Sequence, residues 1–134
     1  MTPEQVAAIF GPPQRQRTFP GCELDPKAPD SISAKYRLDD GVLYLIYNEP
    51  TRELESYRTT SPSLQTADAD RVGDPFSSLQ QRHGDELRPL PLGQPPTEQE
   101  GFWSISDGPR SQLLFDIRKG AIAGISGGYL RPCE

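Results

Sequence analysis

His83, the only histidine in the chain, is the first residue to consider for chemistry. In nucleophilic catalysis a histidine works with a serine or cysteine that a recognisable motif presents to it, and this sequence contains no such motif. His83 falls at the end of a predicted short helix that Gly84 terminates. We therefore expect His83 to be a half-buried packing residue rather than a catalyst.

Two groups of aspartates offer carboxylates for a metal ion or for acid–base chemistry. Asp39 and Asp40 fall at a predicted hairpin turn, where aspartate is favoured for backbone reasons. Asp68, Asp70 and Asp74 lie close together but lack the spacing and the closing glutamate of a calcium loop. We therefore predict neither a metal nor a cofactor.

The glycines near the C-terminus also lack the context that chemistry requires. Gly124, Gly127 and Gly128 lie in or after the last predicted strand, and no helix follows to complete a phosphate-binding loop. The aromatic residues of the predicted strands are expected in the core rather than stacked on a ligand: Tyr57, Phe102, Trp103 and Tyr129. With no catalytic set in the sequence, we predict that the protein is not an enzyme.

Cys22 and Cys133 are the only cysteines. Neither belongs to a C-x-x-C pair or has the histidine neighbours of a zinc site. Their loop-like surroundings favour one disulfide, which would close a loop of roughly 110 residues and contribute about 4 kcal/mol in the chain-entropy model. The alternative is two unpaired thiols.

Length and charge limit the class of protein. The chain has 134 residues, enough for one domain with a modest core. Its net charge of −5 and its pI near 4.9 argue against a nucleic-acid partner. No apolar stretch is long enough to span a membrane. Helix signals already at Thr2 leave no room for a signal peptide, so we expect either a cytoplasmic protein or a mature secreted domain.

Two short helices with similar signals are predicted to organise the fold. In the first, Thr2 and Gln5 have the spacing of a capping box, Pro3 occupies the first helical position and Gly11 ends the helix. The face predicted to be buried consists of Val6, Ile9 and Phe10. In the second helix Asp74 is the expected cap, Pro75 the first residue and Gly84 the end, with Phe76 and Leu79 facing inward.

A strand pattern follows each helix. The strands expected after the first helix are 15–19, 33–38, 42–47 and 54–60, with a tight turn at 39–41. The second helix is followed by a proline-rich loop at 89–96 and by expected strands at 102–106, 112–117 and 121–126.

The fold class predicted from this order is α+β. Two tandem helix–loop–β-hairpin–strand units, 1–60 and 73–134, would form a single domain with 61–72 as the linker. They would share an antiparallel sheet with the helices packed on one face, and His83 would correspond to Phe10. The alternative is the chance similarity of any two β-hairpins.

An apolar strip is predicted on the face of the sheet that carries no helix. If Leu43, Leu45 and Tyr47 face the core, the alternate residues of the same strand face away from it. The strip, with its expected counterpart from the second unit, consists of Val42, Tyr44, Ile46 and Leu114. Either a partner uses this strip or a loop such as 89–96 covers it.

Several segments resemble a known family. Thr2-x-x-Gln5-Val6 followed by Gly11-Pro12-Pro13 resembles the start of small outer-membrane lipoproteins and β-lactamase-inhibitor-protein-like domains. Arg71–Gly84 and Thr59–Pro62 with Thr66 resemble later segments of tandem periplasmic versions, and Cys22 lies where such proteins often carry a loop cysteine. The chain departs from them at Ala69-Asp70, where a Gly-Ile pair is common, and in having no lipoprotein signal.

The resemblance implies a periplasmic or secreted location and a sheet face that docks another protein. The expected partner is an envelope-assembly component, a secreted enzyme to be inhibited or a toxin. The alternative function is small-ligand or lipid binding in a pocket between the sheet and the proline-rich loop 89–96. The oligomeric state stays open.

Overall fold

A single antiparallel sheet of eight strands dominates the computed structural model, which describes residues 1–21, 25–106 and 111–128. The helices are α1 (Pro3–Phe10) and α2 (Phe76–His83), and a single 3₁₀ turn (Gly84–Glu86) follows α2. The strands of the first half are β1 (Arg15–Phe19), β2 (Ser31–Leu38), β3 (Gly41–Asn48) and β4 (Leu54–Thr59). Those of the second half are β5 (Arg88–Leu90), β6 (Glu100–Ser106), β7 (Gln112–Arg118) and β8 (Ala121–Gly128).

The strand order in the sheet is β1-β2-β3-β4-β8-β7-β6-β5. Sequence neighbours pair within each half, and the two-residue turn at Asp39-Asp40 joins β2 to β3 as predicted. The halves meet where β4 pairs with β8, with Ser56 opposite Gly128 and Thr59 opposite Ile125. We call this four-pair junction the seam.

The predicted fold class was wrong. The structure is mostly β, and its two helices have only eight residues each, so it is not a helix-packed α+β tandem repeat. The helix signals in the sequence are strong because caps and prolines are locally encoded, but eight residues cover little of a sheet of eight strands. The strands therefore determine the architecture.

The core lies on one side of the sheet, in two clusters. The buried residues of the first cluster are Val6, Ile32, Ala34, Tyr36, Leu43, Leu45 and Tyr47. Those of the second are Phe76, Leu79, Leu87, Ile105, Leu113, Phe115, Ile117, Ile122 and Ile125. Tyr57, which belongs to the seam, packs against both clusters.

Helix α1 begins as predicted but buries less than expected. The capping box is formed: Gln5 N–H donates to Thr2 Oγ1 at 3.2 Å, and Thr2 N–H donates to Gln5 Oε1 at 2.9 Å. Of the predicted inward face only Val6 is buried, whereas Ile9 is 62% exposed and Phe10 39% exposed. Phe10 instead lies beside Tyr36, with ring centroids 5.6 Å apart.

Helix α2 buries Phe76 and Leu79 and ends at Gly84, as predicted. The predicted cap was wrong, because Pro75 occupies the N-cap position and no side chain caps the helix. The carboxylate of Asp74 is engaged elsewhere, since its Oδ2 accepts the N–H of Arg71 at 3.1 Å.

Some predictions fall on residues outside the described ranges. The proposed disulfide of Cys22 and Cys133 and the expected core position of Tyr129 both lie there. Strand β5 was missed because it begins the proline-rich stretch. Within the described ranges, no helix is both long and apolar enough to cross a membrane.

Candidate protein-binding face

The side of the sheet opposite the core, here called the helix-free face, is the candidate binding surface. Paired residues of neighbouring antiparallel strands point to the same side, so the register defines rows across the sheet. One row crosses all eight strands in the order Arg15, Lys35, Tyr44, Arg58, Ser126, Leu114, Ser104 and Arg88. The predicted residues Tyr44 and Leu114 therefore share this face.

The four predicted binding residues form two patches rather than one strip. Val42, Tyr44 and Ile46 lie together on β3, and Tyr44 is 39% exposed. Leu114 lies on β7, and the intervening strands β4 and β8 place Arg58 and Ser126 between it and Tyr44. At about 4.8 Å per strand, the two patches are roughly 14 Å apart.

Charged groups frame these patches. The Nζ of Lys35 lies 5.6 Å from the centre of the Tyr44 ring, a cation–π contact. Asp116 is 7% exposed, and its Oδ2 lies 3.3 Å from Arg118 Nε and 3.7 Å from Arg58 Nη2. The face thus combines half-buried apolar residues with arginine and lysine side chains.

The proline-rich stretch does not cover the β3 patch. It starts in β5, at the far edge of the sheet and five strands from β3, roughly 24 Å away. Phe102, predicted for the core, instead points to the helix-free face, because it pairs with Asp116 of β7. Because alternate residues of β6 face the same side, Trp103 and Ile105 are the residues of this strand that face the core.

A cavity of about 410 Å³ lies where the proline-rich stretch meets β6. The residues that line it are Leu90, Leu92, Gln94, Pro95, Thr97, Glu100, Gly101 and Phe102. Pro96 packs so closely on Gly101 that a Cβ at position 101 would lie 2.5 Å from Pro96 Cβ. The loop is thereby held against the strand.

His83 has a partner that the sequence analysis missed. Its side chain is only 4% exposed, and Nε2 lies 2.9 Å from Oδ2 of the fully buried Asp70. Thr66 Oγ1–H donates to the same oxygen at 2.8 Å, and the guanidinium of Arg82 binds Oδ1. We call these four residues the Asp70 cluster. Because Thr66 and Asp70 lie more than ten residues before Arg82 and His83, no short sequence motif predicts the cluster.

Hydrogen bonding decides the charge state of Asp70. Burial by itself would raise the pKa of this carboxyl, but hydrogen bonds from His83, Thr66 and Arg82 outweigh the effect and hold the pKa below its usual value. Asp70 is therefore a carboxylate at neutral pH, and it fixes the linker against α2.

A cation would compete with Arg82 for this site. Asp68, Asp70 and His83 each present one possible ligand atom within 4.8 Å of the others. Both oxygens of Asp70 already accept hydrogen bonds, one of them from the Arg82 guanidinium. The cluster therefore has the chemistry of a structural network, and the donor set does not fit a metal ion.

The charged side chains of the helix-free face were also missed by the sequence analysis. A signal was present, since Arg15 and Arg17, and again Lys35 and Arg37, alternate with the residues of the opposite face. Only the apolar residues were assigned to the two faces of the sheet, although the charged residues follow the same period of two.

Comparisons with protein-family models, with curated proteins and with solved structures find no match for this chain. The resemblance to outer-membrane lipoproteins and β-lactamase-inhibitor-protein-like domains therefore stays a prediction.

Proposed function

We propose that the protein is a non-catalytic binding module that docks another protein on its helix-free face. The observation that carries the proposal is the β3 patch, in which Tyr44 is 39% exposed beside the half-buried Val42 and Ile46. Both helices contribute their buried residues to the opposite side of the sheet. Aromatic and arginine side chains on one surface are typical of protein interfaces.

The contacts of His83 support the proposal that the module is non-catalytic. Its imidazole is engaged by a carboxylate that also binds Arg82 and Thr66, and its side chain is almost fully buried. A periplasmic or secreted location, with an inhibitory, immunity or envelope-assembly role, is part of the same proposal and has its basis in the sequence resemblance.

The experiment places a photo-crosslinking amino acid at position 44 and, as a control, at position 9 on α1, where Ile9 is even more exposed than Tyr44. Both proteins are exposed to extract of the cells that naturally express the chain. A specific partner crosslinks at position 44 and not at position 9. The identified protein is then purified for a direct binding measurement.

In that measurement Tyr44→Ala with Leu114→Ala should raise the Kd by about tenfold or more, because truncating a central aromatic residue removes an interface anchor. The matched control, Ile9→Ala, should change it less than about twofold. Equal effects of the two variants would contradict the proposal.

A second function is supported by the cavity of about 410 Å³ between the proline-rich stretch and β6. Leu90, Leu92 and Phe102 give it an apolar wall, which suits a small apolar ligand or a lipid chain. A thermal-shift screen with fatty acids tests this proposal, because a ligand that binds the folded state raises Tm. The Phe102→Ala variant should abolish the shift, and a shift unaffected by that change would contradict this function.

A further inference from the structure

We infer that the partner docked on the helix-free face is a protein with an acidic surface. This inference rests on the proposed function and adds the chemistry of the partner. It follows from the distribution of charge over the two sides of the sheet.

The strands concentrate the basic residues of an otherwise acidic chain. Half of the 14 lysines and arginines lie on the described strands: Arg15, Arg17, Lys35, Arg37, Arg58, Arg88 and Arg118. The same strands carry only three carboxylates, Glu55, Glu100 and Asp116, although the chain has 19.

All seven basic residues point to the helix-free face. Four of them belong to the row that contains Tyr44 and Leu114. Arg17, Arg37 and Arg118 lie two or four positions from members of that row on the same strands, and alternate strand residues share a face. Six of the seven are exposed, and Lys35 is half-buried.

The three carboxylates on these strands cancel only part of the seven positive charges. Asp116 is nearly buried and lies between Arg58 and Arg118. Glu55 accepts a hydrogen bond from Asn48 Nδ2 at 3.1 Å, and Glu100 pairs across the strands with Arg118. The face as a whole keeps an excess of positive charge, which attracts and orients a negatively charged surface.

A protein is favoured over a nucleic acid as the acidic partner. The whole chain carries a net charge of −5, so the attraction is limited to the helix-free face and does not suit a long nucleic acid that extends beyond it. The apolar patches of Val42, Tyr44, Ile46 and Leu114 between the cations also suit a mixed protein surface. A phosphate backbone offers no matching apolar groups.

The test measures binding of a labelled random copolymer of glutamate and tyrosine by fluorescence anisotropy. We expect the parent protein to bind it, and binding to weaken severalfold when NaCl is raised from about 50 to about 300 mM. The variant Arg17→Glu/Arg37→Glu should bind about tenfold or more weakly, because it reverses two charges on the face.

The matched control, Lys27→Glu/Lys119→Glu, changes the net charge by the same amount at exposed turn positions outside the strands. It should change binding less than about twofold. Equal weakening by both variants would overturn the inference. Tighter binding of a DNA duplex or of vesicles containing phosphatidylglycerol would overturn it as well.

The inference and the proposed function fail on different measurements. A protein that crosslinks at position 44 but binds the face variant and the control variant equally well would overturn the acidic partner and leave the docking function intact. The absence of a protein crosslinked at position 44 would overturn both.

Discussion

Asp70 shows at the scale of a single residue how a buried charge is accommodated in a small β protein. Its side chain is fully buried, yet Thr66, Arg82 and His83 supply donors to both carboxylate oxygens. A buried charge that lost these partners would be strongly destabilising. The cluster also ties the segment before α2 to the end of that helix.

The variant Asp70→Ala should lower the free energy of unfolding by about 3 kcal/mol, because Thr66 and His83 are left without their buried partner. Urea denaturation followed by the fluorescence of the only tryptophan, Trp103, measures this. Asp68→Ala is the control, since Asp68 is exposed, and should change stability by less than about 0.5 kcal/mol.

The contribution of Asp70 should disappear in acid. Its pKa is lowered in the folded state, so the stabilisation is fully present above the unfolded pKa of about 3.9 and is lost as the pH falls through the folded value. The stability difference between the parent and Asp70→Ala should therefore be constant from about pH 5 to 7 and shrink below about pH 4. A difference that stays constant in acid would contradict this assignment.

Tyr47 is a buried polar residue that folding keeps neutral, in contrast to the charged Asp70. Its side chain is fully buried, and its hydroxyl has no hydrogen-bond partner among the described residues. Burial, reinforced by Tyr36 and Glu4, raises the pKa of Tyr47 to about 12. The neutral phenol is therefore the form that folding favours.

The variant Tyr47→Phe should be within about 0.5 kcal/mol of the parent at pH 7, because it removes a hydroxyl that makes no hydrogen bond to the described part of the chain. Above pH 10 the Tyr47 hydroxyl loses its proton in the unfolded parent but keeps it in the folded parent. Relative to the variant, the parent should therefore lose about 2 to 3 kcal/mol of its free energy of unfolding by pH 12. Urea denaturation of both proteins at pH 7 and near pH 11.5 measures the free energy of unfolding and checks both expectations. A large loss at pH 7 would show that the hydroxyl has a partner.

The glycines of strand β8 have a packing role rather than a role in a phosphate-binding loop. A Cβ at Gly127 would lie 2.7 Å from the ring of Tyr57, whereas one at Gly124 would meet its nearest atom at 3.6 Å. Gly127 therefore makes room for the aromatic ring that packs against both core clusters.

The variant Gly127→Ala should cost about 1 to 3 kcal/mol, because the new methyl group displaces Tyr57 at the seam. Gly124→Ala is the matched control on the same strand. It should be neutral or slightly stabilising, since alanine is preferred to glycine in a strand. Equal effects in chemical denaturation would contradict the packing explanation.

Local patterns in the sequence predicted the elements better than their assembly. The capping box of Thr2 and Gln5, the turn at Asp39-Asp40 and the buried alternation of Leu43, Leu45 and Tyr47 are encoded by neighbouring residues. The junction of β4 with β8 and the contact of His83 with Asp70 join residues far apart or in different elements. Periodicity does not reveal such contacts. The dominance of the eight-stranded sheet in the fold was therefore not predicted, and the Asp70 cluster was missed.

Among the described residues, the sheet ends at two edge strands, β1 and β5, and each has a different protection against association. Strand β5 has only three residues and contains Pro89, whereas β1 has five and relies on Arg15 and Arg17. Charged residues and proline are the usual means of preventing edge-to-edge pairing.

Replacing both arginines of β1, in Arg15→Val/Arg17→Val, should produce dimers or larger species as the protein concentration rises, because an apolar edge strand pairs with another copy. Size-exclusion chromatography with light scattering measures the mass. Arg88→Val on the short β5 edge is the control and should stay in the parent's state. Association of the control to the same extent would contradict the edge mechanism.

The four-pair seam also has a consequence for the order of folding. Strands β2 and β3 and strands β7 and β8 are joined by turns of two residues, so their loops close at little entropic cost. The seam joins Thr59 to Ile125 and must close a loop of more than 60 residues. We expect each half of the sheet to gain its hairpins first and the seam to close last, so that the amides of β4 and β8 at the seam are the last to gain protection in pulsed hydrogen exchange.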